Sequence, residues 1–93
     1  MLRLLGFATN AGKVITGISL CEKAVKQKKA KLIILTRETE KGTLELFSKY
    51  NIPTVFVSDK ETLGKYTGKG FRSAAIVTDK GFADAILKES EEV

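Results

Sequence analysis

The run from Gly12 to Leu35 constrains the fold more than any other part of the chain, because a glycine-opened helix leads through a lysine cluster into an unbroken apolar segment. Apolar residues at helical spacing predict a buried helix face formed by Ile18, Cys21, Ala24 and Val25, and an opposite face with Lys23, Lys26 and Gln27. The first turn of a helix has unpaired N–H groups and a partial positive charge. The glycine entry is therefore a place where an anion can bind.

Helical and strand-like segments alternate along the whole chain. Short apolar segments predict strands at Leu32–Leu35, Thr54–Val57 and Ala74–Thr78, and the β-branched pair Val14 and Ile15 can add a fourth. Helices are predicted over Leu2–Ala11, after Gly17, from Leu44 to Tyr50, after Ser58 and after Asp79. This order predicts an α/β protein, a three-layer α/β/α sandwich with a small mixed, partly parallel four-stranded sheet, and a single domain over residues 1–93.

Local capping signals leave the start of the second helix open. Thr16 can act as an N-cap, while Ser19 with Glu22 forms a capping box. Ser58 with Glu61 predicts a second capping box at the fourth helix, and an aspartate is expected to cap the last helix. The first helix is expected to end at Gly12 and to bury Leu4, Leu5, Phe7 and Ala8.

Composition removes several classes of enzyme. The chain has no histidine, which excludes nucleophiles paired with histidine and the usual zinc and iron ligand sets. The single cysteine, Cys21, shares helical spacing with Ile18 and Ala24, which is typical of a small buried residue. We therefore predict no catalytic residue, no metal and no cofactor.

No stretch is long or apolar enough to span a bilayer, and the first ten residues, MLRLLGFATN, do not form a signal peptide. We therefore expect a cytoplasmic protein with no membrane partner, and a monomer.

The formal net charge of +5 is unevenly distributed. Up to residue 31 Glu22 alone opposes the cations, which are Arg3, Lys13, Lys23, Lys26, Lys28, Lys29 and Lys31. Surface lysines can simply keep a small protein soluble, but clustering around one helix favours a polyanionic partner, with RNA the first candidate.

One glycine-containing segment resembles a phosphate-binding loop. The segment GFATNAGK, from Gly6 to Lys13, resembles a P-loop but has five residues between its glycines instead of four, and Val14 follows the lysine. These departures make the hydrolysis of a nucleotide a weak hypothesis. The binding of a small nucleotide or phosphate ligand at the Gly12-Lys13 turn is kept as the second hypothesis.

The segment Gly68-Lys69-Gly70-Phe71-Arg72 is a flexible basic loop that contains one aromatic side chain. Phe71 can either stack on a nucleotide base or fold onto the core, and both interpretations stay open. In either case Lys69 and Arg72 are left exposed at the end of a strand.

Several motifs together resemble the kink-turn-binding superfamily of large-subunit ribosomal proteins, of the L7Ae/L30e type, and in particular its small bacterial YlxQ-like branch. They occur in family order over almost the whole chain, as AGKVITG, EKAVKQKKAKLIIL, YNIPTVFV, LGKYTGK and AIVTDKGFA.

The resemblance implies an α/β/α sandwich that binds RNA through two neighbouring segments. The first is the start of the second helix, which in the family enters the widened groove of a kink-turn. The second is the loop before the last strand, which covers a flipped-out nucleotide. On this chain the resemblance assigns Gly17, Ile18, Ser19, Leu20 and Lys23 to the first segment and Gly68, Lys69, Gly70, Phe71 and Arg72 to the second, with Lys13 and Arg37 at neighbouring turns within reach of phosphates.

The chain departs from the family pattern at two positions. Kink-turn readers carry Asn and then Glu after the glycine, whereas this chain has Ser19 and Leu20. Leucine cannot accept a hydrogen bond from a base, and a bidentate base contact contributes about 1–3 kcal/mol. We therefore expect weaker selectivity among RNAs, with phosphate binding retained.

The leading hypothesis is a non-catalytic RNA-binding protein, associated with the ribosome, that recognises structured, kink-turn-like RNA. A third hypothesis is a scaffold that contacts only other proteins.

Overall fold

The computed structural model describes residues 3–91, in which five helices alternate with four strands. In chain order these are α1 (Arg3–Asn10), β1 (Val14–Thr16), α2 (Ile18–Lys26), β2 (Leu32–Thr36), α3 (Lys41–Ser48), β3 (Thr54–Val57), α4 (Lys60–Thr67), β4 (Ala74–Val77) and α5 (Lys80–Glu91). None of the helices in this range combines the length and apolarity needed to cross a membrane.

The strands form one mixed sheet in the order β1-β4-β2-β3. Strands β2 and β3 are parallel, and β4 lies antiparallel between β1 and β2. Consequently β1, β2 and β3 end where β4 begins, and we call this side of the sheet the carboxyl edge. The opposite side, where β4 ends, is the amino edge. The predicted partly parallel sheet is confirmed.

Strand β2 separates two hydrophobic cores. Leu32 and Ile34 pack on one side of the sheet against α1, α4 and α5, while Ile33 and Leu35 pack on the other side against α2 and α3. All four side chains are buried. A strand covered on both faces needs apolar residues at every position, which explains its unbroken apolar run. The three-layer α/β/α sandwich is thereby confirmed.

Both predicted caps of α2 are wrong. The helix begins at Ile18, its N-cap is Gly17 with φ 94°, and no side chain caps it. Thr16 is unsuitable because it still belongs to β1, where it pairs with Ala75. Ser19 lies one residue inside the helix. The strand therefore turns into the helix through a single glycine, whose φ is unfavourable for residues with a Cβ.

The fourth helix begins one residue later than predicted. Asp59, not Ser58, is its N-cap, and the N–H of Thr62 donates to Asp59 Oδ1 at 2.7 Å. This hydrogen bond stabilises the carboxylate and lowers the pKa of Asp59 from 3.8. Its contribution to stability is therefore present above pH 3.8 and is lost as the pH falls through the lowered pKa. At the last helix the predicted aspartate is confirmed, because Asp79 Oδ2 accepts from the N–H of Phe82 at 2.8 Å.

The first helix buries less than expected. Leu5 and Ala8 are buried and Leu4 is half-buried, but the side chain of Phe7 is 61% exposed. Phe7 lies two positions after Leu5, on the far side of the helix from the core. The expected start at Leu2 lies outside the described residues, and the helix ends at Asn10.

Two further elements end earlier than predicted, and α3 also begins earlier, at Lys41 rather than Leu44. Helix α3 ends at Ser48, so Tyr50 lies in the following turn, where it packs against the second core. Strand β4 ends at Val77, and Thr78 begins the connection to α5.

The single cysteine is a core residue, as predicted. Cys21 is buried between α2 and the sheet, with its Sγ 3.4 Å from the carbonyl oxygen of Ile15. Burial raises the pKa of Cys21 to about 12, so the thiolate is scarce at neutral pH.

Replacing Phe47 in α3 with alanine should remove the largest side chain of the second core. The ring of Phe47 is 1% exposed, so we expect a loss of about 3–5 kcal/mol in the free energy of unfolding, measured by urea denaturation. Phe56→Ala is the matched control, because Phe56 is 45% exposed and should cost only about 1 kcal/mol. Equal losses would contradict the assigned core.

Candidate nucleic-acid interface

Two segments far apart in sequence meet at the carboxyl edge. We call residues 17–20 the α2 tip and residues 68–72 the basic loop. The N–H of Gly17 donates to the carbonyl of Ala74 at 3.2 Å, and Ile18 and Ser73 line the same depression of about 150 Å³. Because residues 73 and 74 directly follow the basic loop, the two segments assigned by resemblance lie next to each other on one side of the molecule.

The basic loop folds back along α4. Its Lys69 N–H donates to the carbonyl of Gly64 at 3.0 Å, and the N–H of Arg72 donates to the carbonyl of Lys60 at 3.2 Å. A Cβ atom at Gly64 would overlap the carbonyl group of Gly70. Glycine at position 64 therefore allows the loop to lie directly against the helix.

A third segment, the connection between β2 and α3, completes this edge. The N–H of Arg37 donates to the carbonyl of Val57 at 2.9 Å, which places Arg37 at the ends of β2 and β3. Glu38 Oε1 accepts from the N–H of Lys60 at 2.7 Å, and Thr39 Oγ1 donates to the carbonyl of Ser73 at 3.5 Å. These bonds tie the connection to α4 and to the strand that follows the basic loop.

The first turn of α2 is open to an anion. Its first intrahelical hydrogen bond runs from the N–H of Cys21 to the carbonyl of Gly17, so the N–H groups of Ile18, Ser19 and Leu20 precede the helical pattern. All three residues are exposed, and glycine has no side chain that could cap them. The tip thus combines free donors with the positive end of the helix dipole.

Large apolar side chains are exposed on the same surface. The exposed fractions are 38% for Ile18, 60% for Leu20 and 70% for Phe71, so the prediction that Ile18 belongs to the buried face of α2 is wrong. The alternative in which Phe71 folds onto the core is therefore wrong, and its ring is free to stack. Exposed apolar groups beside cations are suited to nucleotide bases, which present flat apolar faces next to phosphates.

Cationic side chains surround these apolar groups. Lys23, Arg37 and Lys69 are exposed, and within residues 3–91 none of them forms an ion pair. Arg72 is half-buried rather than exposed as expected, and its Nη1 donates to the carbonyl of Phe71 at 3.0 Å. Its Nε is buried without a hydrogen-bond partner, which leaves a charged donor unsatisfied in the isolated chain.

One predicted site residue lies elsewhere. Lys13 precedes β1, and its carbonyl accepts from the N–H of Thr78 at 2.9 Å, so it sits at the amino edge. Lys13 and Gly17 are four residue positions apart along extended chain, a distance of about 13 Å. The expectation that Lys13 lies at a turn neighbouring the α2 tip is therefore wrong, whereas Arg37 does lie at the same edge.

The Gly12-Lys13 turn is poorly suited to hold a phosphate. The N–H groups of Ala11, Gly12 and Lys13 donate to the carbonyls of Phe7, Thr9 and Ala8 at 2.9–3.0 Å. The turn also follows the C-terminus of α1, where the helix dipole is negative. Phosphate-binding loops need free N–H groups at the start of a helix, which is the opposite arrangement.

The sequence interpretation missed two residues at the carboxyl edge. Lys60 holds both the Glu38 carboxylate and the basic loop through its backbone, and Thr39 links its own turn to Ser73. Both roles arise from tertiary contacts between segments at least 12 residues apart, so no local pattern could have indicated them.

Comparisons with known sequences give one family. The family profile described as "Ribosomal protein L7Ae/L30e/S12e/Gadd45 family" matches residues 1–87. The RNA-binding protein YlxQ of Bacillus subtilis (strain 168) is 35% identical over 88 residues, which cover 90% of this chain and 88% of that protein. Large ribosomal subunit protein eL8 of Cenarchaeum symbiosum (strain A) is 30% identical over 94 aligned residues, which cover 96% of this chain and 75% of that protein.

Solved structures agree on the fold. A protein with unknown function from Bacillus halodurans C superposes with a TM-score of 0.88 at 31% identity, covering 97% of this chain and 95% of that one. The Giardia lamblia 15.5kD RNA binding protein superposes with a TM-score of 0.78 at 19% identity, covering 98% and 84%. At 19% identity the second likeness concerns the fold alone.

Replacing Gly64 with alanine should separate the basic loop from α4. The new Cβ would overlap the carbonyl group of Gly70, and overpacking of this kind costs about 1–3 kcal/mol. We expect lower stability in urea denaturation and faster amide exchange at Lys69, whose N–H donates to Gly64.

Gly6→Ala in α1 is the matched control. Its Cβ would contact nothing within 4 Å, so the higher helix propensity of alanine should stabilise the protein by up to about 1 kcal/mol. The close approach of loop and helix would be contradicted if both alanine variants were equally stable.

Proposed function

This chain belongs to the ribosomal protein L7Ae/L30e/S12e/Gadd45 family, and we propose that it is a non-catalytic RNA-binding protein that acts as a single cytoplasmic domain. The resemblance indicated by its motifs is thereby confirmed. Two relatives support the proposal, because one is named an RNA-binding protein and the other a large ribosomal subunit protein. We further propose that the chain is a monomer and that its RNA is ribosomal or another structured RNA.

The observation that carries the proposal is the hydrogen bond between Gly17 and Ala74, which brings the α2 tip beside the basic loop. Donors, cations and exposed apolar side chains from the two segments then face one ligand. A helix tip alone would suit many anions. The addition of Phe71 and Leu20 favours a ligand with bases as well as phosphates.

Each group has a distinct role in the proposed complex. The N–H groups of the α2 tip and the cations of Lys23, Arg37 and Lys69 contact phosphates, which position the RNA without reading its sequence. Phe71 stacks on an unpaired base. Leu20 packs against a base face or a ribose, because it cannot hydrogen-bond to a base edge.

This division of roles favours recognition of RNA shape. A kink-turn opens a groove beside an unpaired nucleotide, which matches a helix tip next to a stacking loop. With Ser19 and Leu20 at the base-reading positions, selectivity depends on fit and stacking more than on direct base contacts.

The structural roles of three groups that could serve in catalysis support a non-catalytic role. The raised pKa of Cys21 disfavours its thiolate, and the carboxylates of Glu38 and Asp59 accept backbone hydrogen bonds that hold helix α4 in place. These groups have structural roles in the isolated chain.

A filter-binding comparison tests the proposed ligand. We expect the full chain to bind a kink-turn RNA about tenfold more tightly than an unrelated duplex, and binding to both to weaken as salt rises. Equal affinity for the two RNAs would remove the claim of kink-turn-like recognition. Failure to bind either RNA at low salt would remove the claim of RNA binding.

Phe71→Ala should weaken binding to the kink-turn RNA without changing stability. Stacking of a base on an aromatic ring contributes about 1–3 kcal/mol, which corresponds to a loss of roughly 5- to 150-fold in affinity. The ring is largely exposed, so the urea midpoint should stay within error. Phe7→Ala removes a similarly exposed ring on α1 and should leave RNA affinity unchanged. An equal effect of the two variants would disprove a specific role for Phe71.

A further inference from the structure

A second group of cations lies at the amino edge, away from the α2 tip. Val77 of β4 pairs with Val14 on one side and with Leu32 on the other, so Lys13 and Lys31, which precede these two residues, flank the end of β4. Neighbouring strands are about 4.8 Å apart, which puts the backbones of the two lysines about 10 Å apart.

The turn after α2 adds two more lysines to this edge. The N–H of Lys28 donates to the carbonyl of Val25 at 3.1 Å, and that of Lys29 donates to the carbonyl of Ala24 at 3.0 Å. Lys28 has φ 61°, a left-handed conformation that favours glycine at the end of a helix. The chain thus has a lysine where glycine would be less strained. We call Lys13, Lys28, Lys29 and Lys31 the lysine edge.

Within the described part of the chain, no carboxylate forms an ion pair with the lysine edge. Glu22 pairs with Lys26 at 2.9 Å, and Asp84 pairs with Lys80 at 2.8 Å. Asp79 accepts the N–H of Phe82 at the start of α5. All four lysines of the edge are exposed, and none forms an ion pair in residues 3–91. Their field therefore attracts a polyanion.

A groove connects the α2 tip with the lysine edge. It lies between α2 and the half-buried edge strand β1, has a volume of about 270 Å³, and is lined by Ile15, Leu20, Lys23, Ala24, Gln27 and Lys29. Leu20 belongs to the α2 tip and Lys29 to the lysine edge. Helix α2 has nine residues and is about 14 Å long, so the groove spans the distance between the two surfaces.

We propose that the lysine edge is a second RNA-binding surface, which holds the phosphodiester backbone of the same RNA where it leaves the α2 tip along this groove. The inference rests on the proposed function, because the ligand is RNA. A negatively charged membrane would also attract lysines, but continuity with the candidate interface favours RNA. The contacts are to phosphates, so they add affinity and salt dependence rather than sequence selectivity.

The test compares two RNAs and one triple variant of the full chain. One RNA is a short kink-turn, and the other has the same kink-turn with each stem extended by about 16 base pairs, a length that covers two successive minor grooves of an A-form helix. The extended stems reach beyond the protein, whose largest dimension is 28 Å. The variant combines Lys13→Gln, Lys29→Gln and Lys31→Gln, which remove charge while keeping side chains of similar polarity. Lys28 is left unchanged because of its backbone conformation.

We expect the wild-type chain to bind the extended RNA at least tenfold more tightly than the short RNA at low salt. The triple variant should lose this advantage. For the extended RNA, the slope of the logarithm of its binding constant against the logarithm of the salt concentration should fall in magnitude by about 2–3, roughly one unit per lost phosphate contact. Its affinity for the short RNA should stay within about twofold of the wild type, since the α2 tip is intact.

A matched variant controls for net charge. Lys49→Gln, Lys65→Gln and Lys88→Gln together remove the same charge from exposed positions outside both surfaces and should leave the advantage of the extended RNA unchanged. Equal losses in the two triple variants, or equal binding of the short and extended RNAs by the wild type, would overturn the proposal.

Two other outcomes separate this inference from the proposed function. If the wild type binds neither RNA, RNA binding itself fails, and the second surface fails with it. If the triple variant retains full binding to the extended RNA but loses binding to phosphatidylserine vesicles, the lysine edge is a membrane surface and the proposal is wrong.

Discussion

The structure depends on the burial of β2 on both faces. Its residues contribute alternately to the two cores, and its backbone pairs with β3 on one side and β4 on the other. A short strand can fill both roles only when every side chain is apolar or, like the buried Thr36 at its end, hydrogen-bonded. The helices then occupy the two faces of the sheet, and the loops at its carboxyl edge are free to carry function.

Much of this arrangement could be predicted from local patterns. A few neighbouring residues were enough to predict three features. These are the burial of β2 from its unbroken apolar run, the buried face of α2 around Cys21 from its helical spacing, and the cap of α5 from the aspartate before it. The error at the start of α2 arises because a segment distant in sequence takes part in the backbone hydrogen bonding there. Gly17 starts α2 because its N–H bonds to Ala74, which no signal near Thr16 or Ser19 reveals.

The candidate interface was predictable in composition but not in geometry. Resemblance identified the α2 tip and the basic loop, and the charge distribution indicated a polyanion. The placement of Lys13 depends on the direction of β1 in the sheet, and the role of Lys60 depends on two backbone contacts. The exposure of Phe71 likewise follows from the contact of the loop with Gly64, which holds the loop against the helix rather than over the core.

The antiparallel position of β4 has a consequence for biosynthesis. Strand β4 lies between β1 and β2, although more than 35 residues separate it from either strand in sequence. A nascent chain that ends before residue 74 lacks the partner of Gly17 and has no strand to join β1 to the sheet. Non-local pairing of this kind is slow because the loop between the partners must close first. The two halves of the candidate interface therefore come together late, when the ribosome has translated the last strand, and a partly made chain does not present that surface.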